Sequence, residues 1–344
     1  MKAAVIHEPG RITIEDVETP NPESGQVLVK VKAVGISRSD IDLIKGSHPY
    51  LEYKELYPVT PGNYWSGIVE KVGEDVVGVQ KGERVVGDTA IGCGKCTYCR
   101  VGNYHLCFSI EKTGLTIAGA MAECIVVPTS SIYPFSWVTY EEASLLAPFA
   151  KILHALNRAP IPQGTDVIVF GSDLIAQAAV QIAKIKGASR VFISDFLAEK
   201  RLQLTRKLGA NITISIDPNR DHITQIRAQI QKRFVNTVIE TTGAPEGAPL
   251  SLRLAKRGGI IHFLSHLTNK STEFDLDMII LKELSIIGSV DGPGMWEEVI
   301  NLVKDEKIKI APLITHKFKL KDAPKAFDIV RYQMEDVVAA LITL

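Results

Sequence analysis

Four of the five cysteines lie close together in the stretch "CGKCTYCRVGNYHLC", as Cys93, Cys96, Cys99 and Cys107. In a reducing compartment, such a cluster of thiols indicates metal binding rather than disulfides. Four thiolates surround a zinc ion as a tetrahedron and leave no position for water or substrate, so a site of this kind is structural. The alternatives are an iron–sulfur cluster, which needs a shorter final spacing, and four metal-free thiols. The pattern predicts one structural zinc per chain.

A second stretch, "VIVFGSDLIAQAA", has the pattern of a turn that binds a dinucleotide. Gly171 supplies the tight turn, and Ala176 is small enough for close packing of a helix on a strand. Asp173 stands where the fingerprint has its second glycine. Its negative charge repels a pyrophosphate bound at the helix N-terminus. The alternative is that Asp173 caps the helix. We therefore predict a nucleotide fold to which NAD binds weakly.

Asp195 follows Gly171 by 24 residues and comes just after the second strand of this pattern. A carboxylate at this place can accept a hydrogen bond from the 2′-OH of the adenosine ribose. NADP carries a phosphate there, so Asp195 favours NAD over NADP.

Two kinds of framework surround these stretches. Up to about residue 150, short apolar runs such as "VLVKVKAVG" and "AECIVVP" are separated by glycines, which predicts a barrel-like β domain. Over residues 151–290, strand-like runs such as "DVIVF", "RVFIS" and "NTVIE" alternate with helical periodicity, which predicts an α/β domain with a doubly wound parallel sheet. The tail, residues 291–344, is expected to rejoin residues 1–150, so that residues 151–290 form an inserted coenzyme-binding domain.

The composition limits the partners of the chain. Lys+Arg and Asp+Glu each number 39, and the absence of net charge argues against nucleic acid or an anionic membrane as the main partner. No window reaches the roughly 18 apolar residues of a membrane span, and the start "MKAAVIHEPG" lacks the apolar core of a signal peptide. We expect a cytoplasmic protein with a small-molecule substrate.

Many segments, in the same order along the chain, resemble the zinc-type alcohol dehydrogenases of the medium-chain dehydrogenase/reductase family. They include "GISRSDIDLIKG", "YPVTPGNYWSGIVEKVG", "KGERVVGD", the four-cysteine loop, "ETTG" and "ITHKFKLKDAPKAFD". The resemblance implies a GroES-like catalytic domain around an inserted Rossmann domain, assembled as a homodimer or homotetramer. The segments "GLTIAGAMAE" and "SVDGPG" are most similar to those of polyol, sugar and aminocyclitol dehydrogenases, in particular the 2-deoxy-scyllo-inosamine dehydrogenases.

The family binds a catalytic zinc ion, but its ligand positions differ in this chain. Ser37 stands at the position of the cysteine ligand, Asn63 and Tyr64 stand at those of a histidine and a glutamate, and Ala147 stands at that of a further glutamate. Hydroxyl and amide groups are poor zinc ligands, and alanine provides none. We therefore expect no catalytic zinc; the alternative is a rearranged site that uses His48 or His154.

Other positions keep the residue types of the family. Ser39 matches the hydroxyl that relays the substrate proton, Asp40 matches a residue that orients the metal site, and both can instead cap a helix. Asp42 replaces a histidine that ends the relay in some members, and we expect it on the solvated surface. Tyr64 is the second candidate catalytic residue, since a phenol can protonate a carbonyl; the alternative is that Tyr64 and Trp65 fill the volume of the lost metal site.

The expected coenzyme site combines the turn with positions implied by the family. Arg38 matches a pyrophosphate contact, and Lys200 flanks the ribose with Asp195. The full expected set is Arg38, Gly171, Asp173, Leu174, Ile175, Asp195, Lys200, Thr242 and Ser265.

Three functions are consistent with this pattern. The first is an NAD(P)-dependent oxidoreductase that lacks the catalytic zinc and keeps the structural one. The second is an inactive relative that serves as a binding or scaffold protein, which Asp173 favours because it impairs the coenzyme site as well. The third is a lyase or isomerase that reuses the pocket without net redox chemistry.

Overall fold

A computed structural model describes residues 1–52, 55–196, 198–267 and 272–344. The chain divides into two compact units. The first contains Met1–Ala147, Trp296–Glu306 and Ile310–Leu344, and the second contains Pro148–Met295 and Lys307–Lys309.

Strands and helices follow one another along the described chain. The strands are β1 Lys2–Glu8, β2 Arg11–Asp16, β3 Gln26–Gly35, β4 Tyr64–Val72, β5 Arg84–Gly87, β6 Ala90–Ile91, β7 Glu111–Lys112, β8 Cys124–Pro128, β9 Ile132–Pro134, β10 Asp166–Phe170, β11 Arg190–Phe196, β12 Ile212–Ile216, β13 Val235–Glu240, β14 Ala255–Phe263, β15 Ser285–Gly288, β16 Ile314–Lys319 and β17 Ala339–Thr343. The helices are α1 Arg38–Lys45, α2 Thr97–Arg100, α3 Tyr140–Ala143, α4 Leu146–Arg158, α5 Leu174–Ile185, α6 Glu199–Lys207, α7 His222–Ile230, α8 Gly247–Leu254, α9 Leu276–Lys282, α10 Trp296–Lys304 and α11 Ala323–Arg331. In the part of the chain that the structure describes, none of these helices has the length and apolarity needed to span a bilayer.

The first unit is built on a seven-stranded sheet in the order β16-β17-β3-β4-β5-β9, in which β8 also pairs with β3. Alternate valines of β3, Val27, Val29 and Val31, are buried in the main apolar core, as the period of two in the sequence predicts. The antiparallel register of β3 and β4 places Tyr64 opposite Gly35. This pairing brings the end of β3 beside the start of β4.

The second unit is built on a six-stranded parallel sheet in the order β12-β11-β10-β13-β14-β15. All five residues of β10 are buried, because helices cover both faces of such a sheet. The strand order reverses at β10, so ligands of this fold bind where β10 and β13 end. The predicted doubly wound parallel sheet is confirmed. Strand β12, with the sequence "ITISI", was not among the predicted strands, since so short an apolar run does not distinguish a strand from a helix.

Candidate functional site

The first turn of α1 is fixed by a reciprocal capping arrangement. Ser37 caps the helix, its Oγ accepts from the backbone N–H of Asp40 at 3.2 Å, and its own hydroxyl donates to Asp40 Oδ2 at 2.7 Å. The backbone N–H of Ser37 donates to the same carboxylate oxygen at 2.8 Å. Burial raises the pKa of Asp40, and these hydrogen bonds oppose the rise. The motif therefore stabilises the start of α1, as the capping alternative for Asp40 predicts.

Asp40 also joins α1 to the segment before β4. Its Oδ1 accepts the backbone N–H of Gly62 at 2.8 Å. A Cβ atom on Gly35 would lie 2.7 Å from Leu145 Cδ2 and 3.4 Å from the Cβ of Tyr64, so both side chains lie against this glycine. The end of β3, the start of α1, the 62–64 segment and Leu145 therefore lie close together.

The substituted positions differ in their surroundings. Ser37 and Ala147 are buried, with 3% and 7% exposure, and Tyr64 is half-buried. Asn63 Oδ1 is buried and finds no hydrogen-bond donor among the described residues. Trp65 is 1% exposed and belongs to the apolar core of the unit, on the face of β4 opposite to Tyr64. Consecutive strand residues point to opposite faces, and the alternative that Tyr64 and Trp65 fill the volume of a lost metal site stays a prediction.

Ser39 contacts a histidine. Its Oγ lies 3.1 Å from Nε2 of His48, a ring that is only 4% exposed. Nδ1 of His48 accepts the backbone N–H of Tyr50 at 3.2 Å. The sequence suggested His48 only as a substitute zinc ligand, and its proximity to Ser39 arises because the chain turns back after α1.

Arg38 and Asp42 form an ion pair one helical turn apart. Arg38 Nε lies 3.1 Å from Asp42 Oδ1, and Asp42 is 6% exposed. The expectation that Asp42 is solvated is therefore wrong, since its carboxylate lies on the inner side of α1 and is neutralised by Arg38. The guanidinium of Arg38, which we expected at a pyrophosphate, bonds to this carboxylate.

The cysteine loop brings its four thiols together. The Sγ atoms of Cys93, Cys96, Cys99 and Cys107 lie within 4.8 Å of one another. The Sγ of Cys96 lies 3.5 Å from that of Cys99 and 3.8 Å from that of Cys107. Four sulfurs bound to one tetrahedral zinc ion at about 2.3 Å lie about 3.8 Å apart. The donor set and its spacing therefore fit zinc.

The electrostatics of the loop differ from thiol to thiol. Backbone N–H groups lower the pKa of Cys93 and that of Cys96, the latter to about 6, while burial raises the pKa of Cys99 to about 12. Backbone N–H groups of Cys93 and Ser109 also donate to Cys107 Sγ, each at 3.3 Å. The loop thus favours negative charge on part of the cluster before any cation is bound.

A buried carboxylate anchors the cysteine loop. Asp88 is 3% exposed, and its Oδ2 accepts from the hydroxyl of Tyr104 at 2.5 Å and from Nε1 of Trp296 at 3.0 Å. Trp296 also stacks on Tyr133, with ring centroids 5.3 Å apart. Burial and the charge of Asp88 raise the pKa of Tyr104, so it stays a phenol and a donor. Sequence reasoning missed this cluster, because its members are far apart along the chain.

In the second unit, the predicted turn lies between β10 and α5. Gly171 has φ +106°, and a Cβ atom there would lie 2.6 Å from Thr241 Oγ1, so glycine is required. Asp173 caps α5 and accepts the backbone N–H of Ala176 at 3.1 Å. The capping alternative for Asp173 therefore matches the structure, and the carboxylate lies at the helix N-terminus where an anion binds in this fold.

A second carboxylate lies near the same turn. Glu240, at the end of β13, is 2% exposed and accepts the backbone N–H groups of Thr242 at 2.8 Å and Gly243 at 3.2 Å. Burial raises the pKa of Glu240, and the charge of Asp173 adds to the rise. The segments that follow β10 and end β13 therefore place two carboxyl groups beside the turn.

Asp195 lies at the end of β11 and is already bonded within the protein. Its Oδ2 accepts from the hydroxyl of Ser172 and from Arg201 Nη2 at 3.3 Å, and its Oδ1 accepts the backbone N–H of Phe196 at 2.8 Å. Arg201 was not expected at this site. The sequence signal that could have indicated it is its position next to Lys200, on the helix that follows Asp195. The positive charge of Arg201 reduces the repulsion between the Asp195 carboxylate and a phosphate group on the ribose.

The remaining expected coenzyme residues are placed as follows. Leu174 and Ile175 are buried in the first turn of α5, and Lys200 is exposed on α6. The hydroxyl of Ser265 donates to the backbone oxygen of Thr241, next to Thr242. Thr241 thus links Gly171, Thr242 and Ser265. Arg38 belongs to the first unit.

Comparison with known proteins gives consistent matches over both units. The family described as "Alcohol dehydrogenase GroES-like domain" matches residues 23–136, and the family described as "Zinc-binding dehydrogenase" matches residues 175–305. An L-threonine 3-dehydrogenase of Bacillus subtilis strain 168 is 33% identical over 324 residues, which cover 92% of this chain and 91% of that protein.

Two further relatives extend over almost the whole length. A sorbitol dehydrogenase of Halalkalibacterium halodurans is 28% identical over 337 residues, which cover 96% of each chain. The solved structure of a protein from Escherichia coli CFT073, described as a short chain alcohol dehydrogenase in complex with NADH, has a TM-score of 0.90 and 26% identity, and the match covers 100% of this chain and 99% of that one.

Proposed function

Because the chain belongs to the zinc-type alcohol dehydrogenases of the medium-chain dehydrogenase/reductase family, we propose that it is an NAD(P)-dependent oxidoreductase that works without a catalytic zinc ion. Its substrate is a small polyol, sugar, aminocyclitol or related alcohol or carbonyl compound. The names of the sorbitol and L-threonine dehydrogenases denote small hydroxylated substrates, which supports this class.

The residue types at the expected ligand positions of the catalytic zinc carry the proposal. Ser37 gives its hydroxyl hydrogen to Asp40, Asn63 offers a neutral amide, and Ala147 has no donor atom. Zinc in proteins prefers thiolate, imidazole and carboxylate ligands. Within the described ranges, the four cysteines are the only group of three or more His, Cys, Asp or Glu side chains whose ligand atoms lie close enough to hold a metal. These groups do not suit a catalytic zinc.

The cysteine loop, in contrast, is proposed to hold one structural zinc ion. The ion would be ligated by Cys93, Cys96, Cys99 and Cys107, which fill a tetrahedron and leave no position for substrate. When bound, it cross-links a loop whose α-helix, α2, has only four residues. The Asp88–Tyr104 hydrogen bond then anchors the loop to the sheet.

The chemistry proposed for the chain is proton donation to a carbonyl oxygen. A bound NAD(P)H supplies the hydride. The residues of the chain must then provide the electrophile that zinc provides in other members, and Ser39 and Tyr64 carry the two candidate hydroxyl groups. A positioned hydroxyl that donates to the developing alkoxide accelerates such a step by about 10²- to 10⁴-fold.

The test is reduction of small hydroxyketones with NADH and NADPH, followed by absorbance, for the unaltered protein and two variants. Ser39→Ala and Tyr64→Phe are each expected to lower kcat and to leave the zinc content unchanged. A Tyr64→Phe variant with full activity would show that Tyr64 only fills space. Exposed Tyr332 provides the control, since Tyr332→Phe removes a hydroxyl from the surface.

A second candidate function, an inactive binding or scaffold protein, is favoured by Asp173. Its carboxylate occupies the N-terminus of α5, where the pyrophosphate of a coenzyme binds in this fold. Fluorescence titration with NADH separates the two candidates. If NADH binds at micromolar affinity or better, the scaffold function loses most of its support. If neither NADH nor NADPH binds, the oxidoreductase function is contradicted.

A homodimer or homotetramer, which the family implies, stays a prediction. It is tested by light scattering of the protein as it elutes from a sizing column.

A further inference from the structure

Five cations lie together in the second unit, at the end of its sheet where strands β13, β14 and β15 begin. They are Arg227, Arg233, Arg253, Arg257 and Lys282, and we call them the basic cluster. The turn predicted to bind the coenzyme lies at the other end of the strands, between β10 and α5. A strand of five residues, such as β10, is about 16 Å long. The basic cluster is therefore not part of the predicted coenzyme site.

The ring of Phe234, just before β13, connects three of these cations. Lys282 Nζ lies 5.0 Å from the ring centroid, Arg233 Cζ lies 5.3 Å from it, and Arg227 Cζ lies 5.6 Å from it. The backbone oxygen of Arg253 accepts from Arg227 Nη2 at 3.3 Å and from Lys282 Nζ at 3.4 Å. The ends of α7, α8 and α9 therefore bring their cations to one place.

The hydrogen bonds of the cluster go to backbone carbonyls. Lys282 Nζ donates to the oxygens of Leu252 at 2.6 Å and Ala255 at 2.9 Å, at the end of α8. Arg257 donates to the backbone oxygen of Leu281, in α9. Cations are stabilised at helix C-termini, because the last carbonyls have no partner within the helix. These contacts account for part of the cluster.

The helix ends do not neutralise five positive charges, since each of the three carries roughly half a negative charge. Within the described ranges, none of the five cations forms an ion pair with a carboxylate. The charge of Asp221 acts on Arg227 and Arg253 from a longer distance. Burial and the neighbouring arginines lower the pKa of Lys282, and the same two causes lower the pKa of Arg227. The cluster therefore keeps a surplus of positive charge.

An open cavity of about 500 Å³ adjoins the cluster. It is lined by Thr224, Arg227, Ala228, Gln231, Lys232 and Arg233. The charge of Lys232 is already balanced, because its Nζ lies 2.5 Å from Asp166 Oδ2. The cavity thus combines two unpaired guanidinium groups with a hydroxyl and an amide that can also donate.

We propose that the basic cluster binds an anion with several linked phosphoryl groups, such as free tripolyphosphate or the phosphate chain of a nucleoside triphosphate. Four of the five cations are arginines, whose planar guanidinium can donate two parallel hydrogen bonds to a phosphate. A chain of phosphates brings several negative charges to cations that repel one another, so its binding relieves that repulsion. The proposal goes beyond the proposed oxidoreductase function and does not depend on it.

The first measurement is calorimetric titration of the full chain with tripolyphosphate, ATP and sulfate at equal ionic strength. We expect tripolyphosphate and ATP to bind at least about tenfold tighter than sulfate, which carries fewer charges and one group only. Equal affinities for tripolyphosphate and ATP would support recognition of the phosphate chain alone, and tighter binding of ATP would support an added contact with the nucleoside. Sulfate that binds as tightly as both would overturn the proposal.

Two variants locate the bound phosphate chain. Arg233→Gln and Arg253→Gln each remove an exposed guanidinium and leave the carbonyl contacts of Arg227 and Lys282 in place. Each is expected to weaken tripolyphosphate about 3- to 30-fold, the range for one charge-assisted contact at an exposed site. The unfolding midpoint of each variant shows whether the fold is retained.

The matched control is Arg206→Gln, which removes an exposed arginine from α6 in the same unit. Its affinity for tripolyphosphate is expected to change by less than about twofold, since distant surface charges are screened. An unchanged affinity in both cluster variants, or an equal loss in Arg206→Gln, would overturn the proposal.

Asp173→Asn tests whether the phosphate chain binds at the coenzyme turn instead. Asp173 caps α5, so removal of its charge should tighten an anion bound at that helix N-terminus and leave the basic cluster unaffected. We expect the affinity for tripolyphosphate to stay the same in this variant. Tighter binding in Asp173→Asn, together with no loss in the cluster variants, would place the chain at α5 and contradict the proposal.

Discussion

Removal of the charge of Asp173 is expected to tighten NADH binding about 5- to 30-fold. The carboxylate accepts the N–H of Ala176 at 3.1 Å, in the first turn of α5, where a pyrophosphate binds in this fold. Two unit charges about 5.5 Å apart interact by about 3 kcal/mol at an effective dielectric constant of about 20. Asp173 is half-buried, and solvent screening reduces this repulsion to about 1–2 kcal/mol, which gives the stated range.

Two substitutions separate charge from bulk. Asp173→Asn removes the charge and keeps a side chain that caps helices as well as aspartate does. Asp173→Gly removes the charge and the side chain, and loses only a few tenths of a kcal/mol of capping. If charge is the main obstacle, both variants tighten NADH to a similar degree. If bulk is the obstacle, only the glycine variant does.

The assay is fluorescence titration of NADH at low and at moderate salt, with the unfolding midpoint of each variant as a control for helix stability. The gain from Asp173→Asn should shrink as salt rises, because screening weakens the repulsion that is removed. Affinity that stays the same in both variants would refute the account of Asp173 as an obstacle to the pyrophosphate.

Three further predictions follow from the cysteine loop and the buried carboxylates. Elemental analysis is expected to find one zinc per chain, lost in Cys99→Ser and kept in Cys124→Ser; two zinc ions per chain would contradict the proposed loss of the catalytic site. Tyr104→Phe leaves buried Asp88 with one donor fewer and is expected to lower the free energy of unfolding by about 1–3 kcal/mol in urea; an unchanged midpoint would show that this bond does not anchor the loop. Burial raises the pKa of Glu240 above its ordinary value of 4.5, so the folded chain holds this proton more tightly than the unfolded chain, and stability falls as the pH rises through the raised pKa. Glu240→Gln is expected to flatten that slope when urea unfolding is repeated at several pH values, and a slope that persists would assign it to other groups.

Much of the fold could be predicted from local patterns. The alternation of "DVIVF", a helix, "RVFIS" and a second helix predicted a parallel sheet, because a strand buried on both faces needs a continuous apolar run. Strand β12 was missed, since "ITISI" is too short to show a period. Asp173 as a helix cap was also predictable, because a cap depends on residues only three positions away.

The candidate site was only partly predictable. The substitutions at Ser37, Asn63, Tyr64 and Ala147 were visible in the sequence because each stands inside a recognisable segment. The position of Tyr64 opposite Gly35, and the contact of Leu145 with the same glycine, depend on the pairing of β3 with β4 and on the packing of a distant segment, which no single segment shows.

The kinds of chemistry available could be read from the sequence: four spaced thiols, a tight glycine turn and a carboxylate at the end of the second strand. The thiol cluster and the turn are local, whereas the carboxylate meets the turn through the pairing of β10 with β11. The hydrogen bond from Trp296 to Asp88, 208 residues away, and the burial of Asp42 became visible only in the folded chain. The tertiary structure also decided that His48 faces Ser39, because hydrogen bonds between elements depend on how sheets and turns pack and not on spacing along the chain.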